Sequence, residues 1–135
     1  METVIWNSDF EVGIKTIDEQ HKRLVMLLNS LGKAIEENQG KDAIMGIVEE
    51  MKKYSVYHFK TEEDAMTATD YPKLSPHKQE HDAFIEHVLD AVDTLESGGK
   101  ITPSEVWNFL RTWITKHILE TDKAYGPLLI ARGIS

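Results

Sequence analysis

Four stretches of this chain carry inward-type residues at alternating steps of four and three. The first runs Ile17, His21, Leu24, Leu28, Leu31, Ile35 and the second Ile44, Val48, Met51, Ser55, His58, Glu62. The third runs His77, His81, Phe84, Val88, Ala91, Leu95 and the fourth Val106, Leu110, Trp113, His117. Such steps keep side chains on one stripe of a helix, and a helix with one stripe buries it against others. No strand pattern of comparable strength competes. Four long helices joined by short loops predict an all-α, up-down-up-down four-helix bundle. At 135 residues the expectation is one domain, 1–135, with a single core.

The breaks between seams are chemical. Residues 1–15 mix Trp6, Phe10, Val12 and Ile14 with polar residues and Gly13, which reads as an irregular N-terminal arm. Thr16 with Glu19 reads as a capping box opening the first helix, which runs to about Glu37 and stops at Asn38-Gln39-Gly40. The second helix is expected from about Lys41 to about Thr67, with a loop at Asp70-Tyr71-Pro72. Ser75 as cap and Pro76 as first helical residue open the third, which ends at Gly98-Gly99. Thr102 to Glu105 is a second capping box, and the fourth helix runs to about Leu119. A short C-terminal segment follows, in which Gly126-Pro127 limits how much is one helix.

Every seam carries histidine. His77 and His81 stand four apart, one turn of a helix, which suits two imidazoles on one ion. His21 is near the start of its helix, His58 and Glu62 near the end of theirs, His77 and His81 at a start, and His117 near an end. In an up-down-up-down bundle, starts of odd helices and ends of even helices meet. Five histidines and a carboxylate therefore share one layer. Unpartnered, each buried polar group would cost about 1–3 kcal/mol, against a whole-domain stability of about 5–15 kcal/mol. A metal gives them all a partner. Glu120 and Asp122 compete as a further carboxylate. Asp122 lies five residues past His117, about 140° off the seam of a regular helix, so it reaches the layer only where the helix ends or widens near residues 119–121. His87, about 240° round from His81, is read as surface, and Trp6 and Trp107 as packing residues.

Composition narrows the setting. A net charge of −8 argues against a nucleic-acid partner. The absence of cysteine excludes disulfides, iron–sulfur clusters and thiolate metal sites. No apolar run is long enough for a membrane span, and the N-terminus lacks the pattern of a secretory signal, so the expected location is the cytoplasm.

The ordered pieces Ile17-Asp18-Glu19-Gln20-His21, His58-Phe59-Lys60-Thr61-Glu62-Glu63, Tyr71-Pro72 with His77 and His81, and Trp113 to Ile118 with Asp122 resemble a hemerythrin of the bacterial single-domain type. The resemblance implies a non-haem di-iron centre, hydroxo- or oxo-bridged, that binds O2 reversibly. It implies that His77, His81 and His117 hold one iron, that His21 and His58 hold the other, and that Glu62 and Asp122 bridge. It thereby selects Asp122 over Glu120. Of twelve positions on two six-coordinate irons, eleven are then filled, and the open one lies on the iron with two histidines. An imidazole-rich set, unlike the carboxylate-rich Glu-x-x-His sets of oxygenase bundles, favours reversible binding over O2 activation. A single-zinc hydrolase is disfavoured, because no His-Glu-x-x-His is present.

The expected ligand pocket is apolar, with Phe59, Met66, Trp113 and Ile114 as candidates. The leading function is oxygen storage or delivery to an O2-consuming enzyme partner, with no catalytic residues of its own. The alternatives are an O2 or redox sensor acting through a separate partner, since this length leaves no room for an output domain, or a di-iron peroxidase, nitric oxide scavenger or iron store.

Overall fold

The seams fold as their spacing predicts. A computed structural model describes residues 2–134. Met1 and Ser135, the ends of the expected 1–135 domain, lie outside the described residues. The helices are α1 (Lys15–Glu36), α2 (Lys41–Ala68), α3 (Leu74–Glu96) and α4 (Pro103–Lys116). A widened turn, His117–Asp122, leads directly into α5 (Lys123–Ala131). No strand occurs among the described residues, and no helix there is long and apolar enough to cross a membrane.

Around the bundle α1 lies beside α2 and α4, and α2 beside α3. Rings fill the space between α3 and α4. Phe84 meets Trp113 at 4.3 Å and His87, exposed, stacks on Phe109 at 3.6 Å between centroids. Leu28, Leu31, Val48, Met51 and Leu110 form the fully buried centre. Trp107 is buried and donates its Nε1–H to the Leu28 carbonyl at 3.2 Å.

The caps differ from expectation at two helix starts. Thr102 and Glu105 form their capping box as predicted. Thr16 and Glu19 do not, because α1 begins at Lys15 with Ile14 in the cap position. Asp18 takes over the role. Gly13, at φ 91°, turns the arm so that the N–H groups of Val12 and Gly13 donate to the Asp18 carboxylate at 2.8 and 3.2 Å. A carboxylate in the first turn also meets the positive end of the helix dipole. Ser75 likewise lies inside α3, which starts one residue earlier at Leu74.

Helix ends are more uniform. At α1, α2 and α3 the second residue past the cap donates back to the third-last helical carbonyl: Gln39 to Ala34, Tyr71 to Met66 and Gly99 to Thr94. This closure needs a left-handed residue between, supplied by Asn38, Asp70 and Gly98.

The C-terminal part departs furthest from the sequence reading. Gly126 and Pro127 do not limit the last helix but lie within α5. Tertiary packing outweighs their low helix propensity. Tyr125 and Leu129 are fully buried, joining Val12, Ile14, Ile17, Met66 and Tyr71 in a second apolar cluster. Gly126 is required by closeness, since a Cβ there would stand 2.7 Å from the Val12 carbonyl oxygen of the arm.

Gly126→Ala is therefore expected to push the arm off α5 and cost about 1–3 kcal/mol. Urea unfolding followed by circular dichroism should show the lower midpoint, and an unchanged midpoint would mean that the arm is not packed there.

Candidate metal centre

Seven side chains from four helical segments meet inside one end of the bundle. His21 comes from the start of α1, His58 and Glu62 from the end of α2, and His77 and His81 from the start of α3. His117 and Asp122 stand at the two ends of the widened turn. There the bonding ring is one residue larger than in an α-helix, so the side chain five residues on comes under the first, as one four residues on does in a regular helix. The helix widens where the sequence requires it for Asp122 to face inward. Glu120, the competing acid, is exposed. All seven converging residues are at most 3 % exposed.

The seven form two overlapping groups, each with its donor atoms within 4.8 Å of one another: His77, His81 and His117 with Glu62 and Asp122, and His21 and His58 with the same two carboxylates. Asp122 is split between them. Its Oδ2 lies 2.9 Å from His21 Nε2, and its Oδ1 lies 3.1 and 3.0 Å from His77 and His117 Nε2. Glu62 Oε1 lies 2.5 Å from His58 Nε2, while its Oε2 faces His77 at 3.8 Å.

These atoms are close without being properly bonded to each other. His21 Nε2, His77 Nε2 and all four carboxylate oxygens are buried and lack a hydrogen-bond partner of good geometry. They aim at shared points between them. His81 and His117 Nε2 are 3.1 Å apart, a length that one shared proton fits. It is also the separation of two nitrogens bound at about 90° to one ion with bonds of about 2.1 Å. The donor set thus fits a pair of metal ions, the carboxylates reaching both.

Protonation of the metal-free site makes the same point. Burial pulls the His21 imidazole down, but the neighbouring Asp122 and Glu62 carboxylates override it and push it up to about 10. Burial and Asp122 press on the Glu62 carboxyl from one side, and His58 and His21 bring it down to about 2. Asp122 is held well below the usual carboxylate range: burial opposes this, and His117, His21 and His77 outweigh it. His81 is pushed down to about 3, by burial first and then by His117 and His77. Two ionised carboxylates in a dry interior call for positive charge beside them. Protons on imidazole supply some of it when no metal does.

A second layer of groups orients the imidazoles. His58 Nδ1 bonds Gln20 Oε1 at 2.6 Å, and Gln20 donates in turn to Thr61 Oγ1 at 3.3 Å. His81 Nδ1 meets Glu63 at 2.9 Å, and His117 Nδ1 meets Glu80 at 3.3 Å, with Thr121 donating to Glu80. An acceptor on Nδ1 fixes the proton there and leaves Nε2 as a bare lone pair for a metal. The sequence reading missed Gln20, Glu63 and Glu80. Each abuts a site residue in the chain, yet serves a histidine on another element, so adjacency alone does not show the pairing.

Beside His21 and His58 lies a small cavity of about 10 Å³, roughly the room one water-sized sphere needs. Phe59, Trp113 and Ile114 line it. Met66, the fourth expected pocket residue, does not. One turn beyond Glu62, it packs in the second apolar cluster with Ile17 and Tyr71. Leu24, Phe84 and Ile118 complete the apolar wall; Leu24 and Phe84 stand on the seams next to His21 and His81, a signal the sequence carried.

Residues 12–129 match the family model described as hemerythrin HHE cation binding domain. The chain is 36% identical to a bacteriohemerythrin of Clostridium acetobutylicum over 126 residues, covering 90% of this chain and 97% of the relative. It is 30% identical to a bacteriohemerythrin of Methylococcus capsulatus, covering 97% and 100%. A solved wild-type hemerythrin superposes with a TM-score of 0.86 at 28% identity, covering 95% of this chain and 98% of that one.

Replacing Gln20 by Leu removes the acceptor on His58 without adding charge. Metal affinity, read by competition with a chelator, is expected to fall about 10- to 100-fold. Unchanged affinity would show that the Gln20 contact does not orient His58 for a metal.

Proposed function

The chain belongs to the hemerythrin family, and on that premise we propose that it binds O2 reversibly at its non-haem di-iron centre to store oxygen or deliver it to an O2-consuming enzyme in the cytoplasm. Two irons held there would supply the electrons that reversible O2 binding needs. Everything else falls to the protein. His77, His81 and His117 would hold one iron and His21 and His58 the other, with Glu62 and Asp122 common to both donor groups. The observation that carries this reading is the pair of overlapping donor groups sharing two carboxylates.

The histidine count per group is unequal, three against two, which leaves the His21–His58 side the more open. The small cavity touches His21 and His58 and, of the other group's histidines, His117 alone, which supports that side as the ligand position. Its apolar walls keep water from the site, which slows loss of reduced oxygen species and protects the reduced state. Gln20, Glu63 and Glu80 hold protons on the outer ring nitrogens and so keep the inner ones available. The imidazole-rich donor set supports the reading of a carrier rather than an enzyme.

The test is optical and elemental. Reduced protein under nitrogen, with two irons per chain, is expected to be nearly colourless, to turn purple-pink in air and to bleach again when O2 is removed. Steady consumption of O2 or peroxide with product formation would replace the carrier by an enzyme. A zinc-only protein would end the scheme.

Ile114 is 2 % exposed and lines the cavity. Ile114→Ala opens the wall to water, and oxidation of the O2-loaded protein should become severalfold faster in stopped-flow absorbance. An unchanged rate would remove Ile114 from the barrier.

A further inference from the structure

The cavity wall holds one hydroxyl, that of Ser55. It sits on the inward seam of α2, one turn before His58, and is 1 % exposed. Its Oγ is buried and has no hydrogen-bond partner in the protein. A hydroxyl inside a helix normally bonds back to the carbonyl four residues earlier, and Thr61, Thr69, Thr94 and Thr115 all do so here, on Tyr57, Ala65, Asp90 and Arg111. Ser55 does not satisfy itself on Met51 in that way. An alanine at this position would fill the seam without burying an unpartnered polar atom, which costs stability.

We propose that Ser55 is the hydrogen-bonding residue of the ligand cavity, donating its hydroxyl proton to the small ligand held beside His21 and His58. The inference rests on the O2-binding reading above and deepens it by naming the residue that holds the ligand. The room available, about 10 Å³, admits a ligand of very few atoms. The remaining walls are aliphatic and aromatic side chains, site imidazoles and Asp122, so Ser55 is the only hydroxyl among the described residues lining it. A ligand that gains negative charge on binding is stabilised by such a donor more than a neutral one is. Ser55 therefore slows escape of bound ligand while leaving entry untouched.

The experiment compares wild type, Ser55→Ala and Ser55→Thr, each loaded with two irons per chain as checked by elemental analysis. The O2 dissociation rate of Ser55→Ala is expected to rise about five- to tenfold, with the association rate unchanged, and Ser55→Thr to return to within about twofold of wild type by restoring the hydroxyl. In the O2-loaded wild type the O–O stretching frequency should shift between H2O and D2O, and this shift should be smaller in Ser55→Ala. A crystal structure of the metal-free wild type supplies a readout independent of O2, with Oγ expected to point into the cavity. An unchanged dissociation rate in Ser55→Ala, or an Oγ turned onto the Met51 carbonyl, would overturn the inference. Failure of the carrier reading would show separately, as a wild type that does not take up O2 at all.

Discussion

Two ionised carboxylates buried in the middle of a helical bundle set the terms for everything around them. Glu62 and Asp122 are fully enclosed, and charge in so dry a place is tolerated only with compensating charge and donors close by. Five imidazoles are not enough, because a neutral ring offers one N–H and the outer acceptors Gln20, Glu63 and Glu80 claim that N–H for three of them. What remains at the centre is an excess of lone pairs over the N–H groups that can face them. Only cations resolve it, protons when the site is bare and metal ions when it is filled. The bundle below, with Leu28, Leu31, Met51 and Leu110, is ordinary hydrophobic packing that supports this arrangement.

The chain accommodates the arrangement at a cost in helical regularity. Between His117 and Asp122 the backbone gives up its usual hydrogen-bond step and takes a wider one. A widened turn inside a helix is uncommon and is found mostly at functional sites. Here its geometric purpose is plain, since a regular helix would turn Asp122 about 140° away from the seam that carries His117. The widening also redirects the chain into α5, which returns Tyr125 and Leu129 against the bundle and closes the end nearest the site.

Much of this was legible in the residues themselves, because the 4-3 spacing survives folding unchanged. Val48, Met51, Phe84 and Leu110 lie where their period puts them, and so do the five histidines. The layer followed from helix direction alone. Local signals fared unevenly. Thr102-Pro103-Ser104-Glu105 capped its helix, but Thr16 did not, because Gly13 turns the arm's N–H groups onto Asp18 instead. Gly126-Pro127 read as a stop, but burial of Tyr125 and Leu129 carried the helix through. Met66 was placed in the pocket by nearness in sequence, yet one turn along α2 was enough to take it out of the layer. Gln20, Glu63 and Glu80 were beyond reach, since what they do depends on which helix lies opposite.

Six of the seven converging residues arrive as three pairs, each made within a single turn of one segment: His58 with Glu62, His77 with His81, and His117 with Asp122. Only His21 comes alone. A pair within a turn exists as soon as its helix does, so the long-range ordering of the site amounts to docking three ready-made claws and one peg. Loop closure then has to be overcome for four bodies rather than seven. The spacing inside each claw is fixed by its own backbone, and any breathing of the bundle changes distances between claws. A shift of α1 against the others opens no claw, and the corner it moves is the one that His21 shares with the cavity.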